Sequence, residues 1–250
     1  MSSVELIQGD CLEVMPTLPQ VDAIITDLPY GTTACSWDNI IPFDKMWHEI
    51  ERINKGVFVT TASQPFTSKL IMSNVENFNS EIIWEKERPS NIFQMHKQVG
   101  KTHENIIVFY KGVFNPIKTK NGKYRSRETM QKYVGNKLKH HDGNSVTSYR
   151  SDWDGTKSLP RSVLYFVRDV SPDNHPTQKP VSLYSYLIQT YTNEGDTVLD
   201  ITMGSGTTGV ACVQTNRNFI GIEIDKGYFD IAQERIRVAQ MQPNLFEVNK

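Results

Sequence analysis

The residues best suited to chemistry are Asp27, Leu28, Pro29 and Tyr30, which follow the apolar run from Val21 to Ile25 and Thr26. A carboxylate, a directed carbonyl and an aromatic face meet there at one strand end. Asp27 can accept hydrogen bonds. Pro29 fixes its own φ and biases Leu28 toward an extended backbone, which sets the direction of the Leu28 carbonyl. Tyr30 offers a flat face on which a planar ring can stack. Two acceptors beside a stacking surface suit an exocyclic amino group on a heteroaromatic base. Taken alone, the tetrapeptide reads more simply as a strand followed by an Asp/Pro turn with a buried tyrosine.

It does not stand alone. The stretch Thr197 to Ala211 reads as a strand ending in Asp200, a Gly-rich turn, and a helix. Gly204 and Gly206 allow positive φ and close approach of a ligand to the backbone around Ser205. The N–H groups of a helix opening at Thr207 and Thr208 favour a negative group. Asn218 to Asp225 is a second apolar strand ending in acids. Glu223 lies about 20 residues past the turn, where an acid can accept both hydroxyls of a ribose. The stretch is therefore suited to an adenosine-containing cofactor. Gly204 to Gly209 also matches the dinucleotide pattern G-x-G-x-x-G. Position argues against a nicotinamide or flavin: about one strand and one helix fit between Gly209 and Lys250, too little for a second mononucleotide half.

With both motifs in this order, the chain resembles the S-adenosylmethionine-dependent amino-group DNA methyltransferases of the beta class. In that family the D-P-P-Y motif precedes the cofactor motif, with a DNA-recognition segment between them. Ile7-Gln8-Gly9-Asp10-Cys11-Leu12 is similar to the family's N-terminal G-D-C segment, which implies that Asp10 and Cys11 contact the cofactor adenine. His175-Pro176-Thr177-Gln178-Lys179-Pro180 is similar to the segment lining the methionine end, with Thr177 and Lys179 suited to its carboxylate. Trp84-Glu85-Lys86 and His103 to Phe109 resemble the strand pair between catalytic motif and recognition segment.

The resemblance implies S-adenosyl-L-methionine as cofactor, held by Asp10, Cys11, Thr177, Lys179, Asp200, Gly204, Ser205, Gly206, Thr207, Thr208 and Glu223. It implies catalysis by Asp27 to Tyr30 on double-stranded DNA, with the target base turned out of the stack onto Tyr30 and no metal required. Asp at the head of the motif leans toward adenine N6 and Ser toward cytosine N4, so adenine N6 is expected and cytosine stays open. Relatives acting on RNA or a protein amide usually carry Asn at the Asp27 position. A third reading, a DNA-binding relative without catalysis, rests only on two departures. Leu28 replaces the first proline of the motif, leaving an extra N–H, and Thr202 stands where an aromatic wall beside the cofactor is usual.

Composition fits a soluble protein with one large domain, or a domain with an insertion: 250 residues, 38% hydrophobic and 22% charged. The N-terminus lacks a signal-peptide pattern, and no apolar run is long enough for a bilayer. Cys11, Cys35 and Cys212 are isolated, which fits a reducing cytoplasm and offers neither a disulfide framework nor a zinc site. The expected setting is the cytoplasm of a bacterium or phage host. Net charge is −1, yet Gly112 to Arg168 holds twelve basic and four acidic residues, so that segment carries +8 and the remainder −9. Such a block, interleaved with Tyr124, Tyr133, Tyr149 and Trp153, is the footprint of a nucleic-acid surface. Arg125, Arg127 and Arg150 are the base readers chosen from chemistry alone.

Apolar β-branched runs predict strands at 4–8, 22–26, 56–61, 81–84, 105–110, 197–201 and 218–224. Helices are predicted at 43–53, 65–74, 180–191, 207–215 and 226–240. In the last, Tyr228, Ile231, Ala232, Arg235 and Ile236 recur at helical spacing and are read as a packing face. The alternation predicts an α/β fold: a doubly wound, mostly parallel seven-stranded sheet in permuted order, covered on both faces. Residues 1–111 form a catalytic half, 112–172 a target-recognition insert and 173–250 a cofactor-binding half. Ligands bind outside the carboxyl ends of such strands, which puts Asp27 and Asp200 on one rim. A homodimer is left open. Nothing resembles a nuclease or translocase, so a restriction partner is a separate chain or absent.

Overall fold

The computed structural model describes residues 2–32, 38–120, 157–169 and 178–242. In chain order the elements are β1 (Val4–Gln8), α1 (Cys11–Val14), β2 (Ala23–Asp27), α2 (Phe43–Ile53), β3 (Phe58–Ala62), α3 (Phe66–Ser73), β4 (Phe78–Glu85), β5 (His103–Phe109), β6 (Thr119–Lys120), β7 (Lys157–Ser158), β8 (Val163–Tyr165), α4 (Val181–Tyr191), β9 (Thr197–Asp200), α5 (Thr207–Gln214), β10 (Asn218–Glu223) and α6 (Lys226–Met241). The chain divides into two compact units, Met1–Asn115 with Ser162–Lys250, and Pro116–Arg161.

The first unit is built on one sheet in the order β1-β10-β9-β2-β3-β5-β4-β8. From β1 to β3 every pairing is parallel, whereas β5 runs antiparallel to both of its neighbours. The central strands are apolar without alternation because both of their faces are covered. Side chains of β2 leave on opposite sides in turn. Ala23 and Ile25 join a core with Leu183 and Leu187 of α4, Val210 of α5 and Ile236 of α6. Ile24 joins the other core, with Met46 and Ile50 of α2 and Leu70 of α3. On α2 the buried residues Met46, Trp47, Ile50 and Ile53 fall at helical spacing, so one stripe packs on the sheet. This is the doubly wound arrangement expected from the sequence, with a core on each face of the sheet.

All seven predicted strands are present, with ends shifted by a few residues, and the sheet gains an eighth. β8 pairs in parallel with β4 through Val163, Leu164 and Tyr165. Only Leu164 of the three is buried, and a three-residue edge strand carries too little pattern to be read. The short helix α1 also escaped the sequence; Asp10 caps it by accepting from the Leu12 N–H at 2.8 Å. In the second unit, β6 and β7 pair antiparallel. Arg125, Arg127, Arg150 and Thr177 lie outside the described residues.

Candidate active site

Because β1, β10, β9, β2 and β3 run in parallel, their carboxyl ends share one rim, where ligands bind in open α/β sheets. A cavity of about 970 Å³ opens there. Its walls include Asp27 to Tyr30 from the catalytic motif, Asp10 and Cys11 from the first turn, and Lys179. They also include Asp200, Gly204, Ser205, Thr207, Thr208 and Glu223 from the cofactor motif. Residues separated by nearly the whole chain thus line one space. Gly206 is turned away from it, toward α6.

Asp27 ends β2 and is held from three sides. Its Oδ1 accepts from the Tyr30 hydroxyl at 2.8 Å and from the hydroxyl of Thr61, its register partner on β3. Its Oδ2 accepts from Lys179 Nζ at 2.6 Å. Burial, with the Asp27 charge added, pushes the Tyr30 phenol well above its ordinary pKa, so Tyr30 donates as a neutral hydroxyl. For Lys179, burial works against the charged form, but Asp27 and Glu104 outweigh it and raise its pKa, so it stays a cation. The Tyr30 ring is stacked on Phe66, with centroids 5.2 Å apart and planes at 29°. Leu28 is buried among residues of α2 and α3, so the side chain that departs from the family motif is used in the core. The extra N–H it brings faces Thr60 Oγ1 at the 3.5 Å limit of a hydrogen bond. Asp38, buried in the cavity wall, accepts from the Gly31 and Thr32 N–H groups just after the motif.

Asp200 does not project into the cavity as an unengaged ligand. It accepts from Thr26 Oγ1 at 2.6 Å, from the Thr202 N–H at 3.1 Å and from the Thr208 hydroxyl, and so ties the catalytic strand to the cofactor turn. Thr202 strengthens that tie: its single hydroxyl proton can go to the Asp27 carbonyl at 3.0 Å or to the Thr26 hydroxyl at 2.8 Å. A phenylalanine there could form neither.

Burial raises the Asp200 pKa to about 6, although its three hydrogen bonds pull the other way. The folded state therefore holds this proton more tightly than the unfolded chain. The contribution of Asp200 to stability is greatest below the ordinary value of 3.8, declines as pH rises toward about 6, and is flat above. Thermal melts of wild type minus Asp200→Asn should show wild type gaining about 2–3 kcal/mol as pH falls from 7 to 4. A flat difference across that window would contradict it.

The turn itself is fixed by two glycines with positive φ, +51° at Gly204 and +81° at Gly206. A Cβ at Gly206 would lie 2.9 Å from Ala232 Cβ and 3.0 Å from its Cα, whereas one at Gly204 meets nothing within 4 Å. Gly206→Ala should lose about 2–3 kcal/mol in chemical denaturation, and Gly204→Asn less than about 1, since Asn tolerates this backbone region. Equal losses would show that the α6 contact does not matter.

Glu223, at the end of β10, accepts from the Gly204 N–H at 2.9 Å and the Asp225 N–H at 2.8 Å, and burial raises its pKa. Arg235 donates to the Ser205 carbonyl at 2.6 Å and to its hydroxyl at 2.9 Å. The stripe on α6 read from sequence as packing is thus mixed. Ala232 and Ile236 are core, Arg235 braces the turn, Tyr228 lines the cavity, and Ile231 is 46% exposed. Helical spacing marks one face but not what that face meets. Cys11 and Cys212 are both buried, which pushes the Cys11 thiol up to about 12 and raises Cys212 well above its usual value; neither is a nucleophile at neutral pH. Among the described residues no group of three or more His, Cys, Asp or Glu could hold a metal, and no helix is long and apolar enough to cross a membrane.

A model of the DNA methylase family, the N6/N4 methyltransferases, matches residues 21–234, and the chain belongs to that family. It is a DNA amino-methyltransferase of the D-P-P-Y type that uses S-adenosylmethionine and acts on adenine N6 or cytosine N4. The DNA adenine methyltransferase YhdJ of Escherichia coli K12 is 29% identical over 257 residues, covering 94% of this chain and 83% of that one. Type II methyltransferase M.HpaI of Haemophilus parainfluenzae is 30% identical over 254 residues, covering 92% and 73%. The crystal structure of the M1.HpyAVI–SAM complex superposes with a TM-score of 0.61 at 28% identity, covering 93% of this chain and 98% of that one.

Proposed function

We propose that the protein transfers the methyl group of S-adenosylmethionine to the exocyclic N6 of adenine in double-stranded DNA. The observation that carries this reading is the Asp27 carboxylate, held at the end of β2 in the same cavity as the Gly204–Thr208 turn and Glu223. The similarity to a relative named as an adenine methyltransferase supports the choice of base.

The residues present fit the cofactor. A buried carboxylate, Glu223, suits the ribose hydroxyls; Asp10 and Cys11 stand beside it for the adenine, and Gly204 leaves open space where a side chain would stand. Thr177 is proposed for the methionine carboxylate; Lys179, expected there with it, donates to Asp27. When bound, S-adenosylmethionine supplies a sulfonium-activated methyl group whose leaving group is neutral. The chain's task is then to activate and orient the amine. The lone pair of an adenine amino nitrogen is delocalised into the ring. Accepting its two N–H protons at Asp27 and at the Leu28 carbonyl favours pyramidal nitrogen, aims the lone pair, and stabilises positive charge developing there. Tyr30, backed by Phe66, provides the stacking surface for a base turned out of the duplex. Opening a base pair costs a few kcal/mol, which phosphate contacts from the basic segment between residues 112 and 172 offset.

The test is incubation with S-adenosylmethionine and unmethylated duplex DNA of mixed sequence, then mass spectrometry of the nucleosides. N6-methyladenine is expected. N4-methylcytosine would keep the mechanism and overturn the base assignment.

A further inference from the structure

Four charged side chains from four segments form a line beneath the catalytic motif. Lys86 follows β4, Glu104 lies on β5, Lys179 precedes α4, and Asp27 ends β2. Lys86 Nζ is 2.7 Å from Glu104 Oε1, Glu104 Oε2 is 3.6 Å from Lys179 Nζ, and Lys179 Nζ is 2.6 Å from Asp27 Oδ2. The side chains of Lys86 and Lys179 are only 4% and 10% exposed. Buried ion pairs are seldom the most stable way to fill such space, since apolar residues of similar volume often do as well or better. Stability alone therefore does not account for the line.

Its geometry is uneven in a telling place. Glu104 Oε2 is buried with no hydrogen-bond partner within 3.5 Å; Lys179 lies at the edge of reach, ion-paired with it at 3.6 Å, and makes its short hydrogen bond to Asp27 at 2.6 Å. A buried carboxylate oxygen left in this way is costly, and it faces a cation that needs to move only about an ångström to satisfy it. A carboxylate offers about four acceptor sites, and on Asp27 Tyr30, Thr61 and Lys179 take three. The ammonium on Oδ2 also neutralises the acceptor that the target amine must use.

We propose that Glu104 is an alternate seat for Lys179: as the target amine approaches Asp27 Oδ2, the Lys179 ammonium shifts onto Glu104 Oε2 and leaves the Asp27 carboxylate to the amine. Lys86 holds Glu104 in place and ionised from the other side, and its charge, with that of Lys179, keeps the Glu104 pKa low against the effect of burial. Glu104 and Lys86 are positioning residues that act through Lys179. The inference deepens the reading of Asp27 as acceptor for the amine and rests on it.

The test compares Glu104→Gln, Glu104→Gln with Lys179→Met, and wild type, in turnover on duplex DNA and in S-adenosylmethionine binding. In E104Q the ammonium has no charged alternative and stays on Asp27. Its kcat should fall by about 10- to 100-fold, with cofactor Kd within about twofold of wild type. Removing Lys179 as well should recover several-fold of that loss, because the obstructing cation is gone. If E104Q does not fold, Lys86→Met with Glu104→Gln removes the unpaired cation, and the same loss and the same rescue by Lys179→Met are expected. A double variant no better than its parent, or E104Q equal to wild type, overturns the proposal. Cofactor affinity falling in step with kcat also overturns it and assigns Lys179 to the methionine carboxylate. Wild type without turnover on DNA would instead overturn the reading of the site, and this inference with it.

Discussion

Replacing Asp27 with Ala is expected to lower kcat for methyl transfer by about 10³-fold or more while leaving S-adenosylmethionine affinity within about twofold. The separation follows from the contacts. Asp27 makes its side-chain hydrogen bonds to Tyr30, Thr61 and Lys179, none of which belongs to the Gly-rich turn. The tie from Thr202 runs to the backbone carbonyl of Asp27, which an alanine retains. Lys179 keeps Glu104 as a partner, so the variant does not strand a buried cation. Asp27→Asn should be nearly as inactive despite its size, because an amide has one acceptor oxygen and would turn N–H groups toward either Lys179 or the two hydroxyls. Calorimetric binding of the cofactor beside single-turnover transfer checks both halves. A parallel loss of cofactor affinity would count against the role given to Asp27.

The complementary result is expected from Glu223→Ala: cofactor Kd should rise by about 100-fold, with kcat at saturating cofactor within a few-fold of wild type. The proposed ribose contacts are charge-assisted hydrogen bonds, which contribute about 1.5–3 kcal/mol each, and a hundredfold corresponds to about 2.7. Part of the effect comes through the turn, since the Gly204 N–H loses its acceptor in the same variant. Glu223→Gln, which can keep an acceptor for that N–H, should fall between the two. Unchanged affinity in Glu223→Ala would remove Glu223 from the cofactor site, and a collapse of kcat at saturation would mean that the two ends of the cavity are not separable.

The sequence made the strand ends legible because their chemistry is local. An acid, a proline and an aromatic at the end of an apolar run, and glycines between a strand and a helix, announce themselves within a few residues. The partners of those residues are another matter. Lys179 stands 152 residues from the Asp27 it donates to, and Thr61 reaches Asp27 only because β2 and β3 pair in that register. Glu104 and Lys86 fell inside segments recognised as strands, and neither spacing nor residue type marked them as part of the site. Asp200 was legible as a strand-end acid, but its engagement with Thr26 depends on β9 lying beside β2. Tyr228 shows the same limit from the other side: periodicity placed it on a face of α6 without saying that this face borders the cavity. β8 was missed for want of length, since three residues at a sheet edge leave no period to detect.

The most direct test is the structure of a ternary complex with a non-transferring S-adenosylmethionine analogue and an unmethylated duplex carrying the target site. The expected result is an adenine outside the stack, its ring on Tyr30 and its amino nitrogen about 3 Å from both the Asp27 carboxylate and the Leu28 carbonyl. An adenine left in the duplex, or an amino group held by other residues with Asp27 still bound only to Tyr30, Thr61 and Lys179, would contradict it.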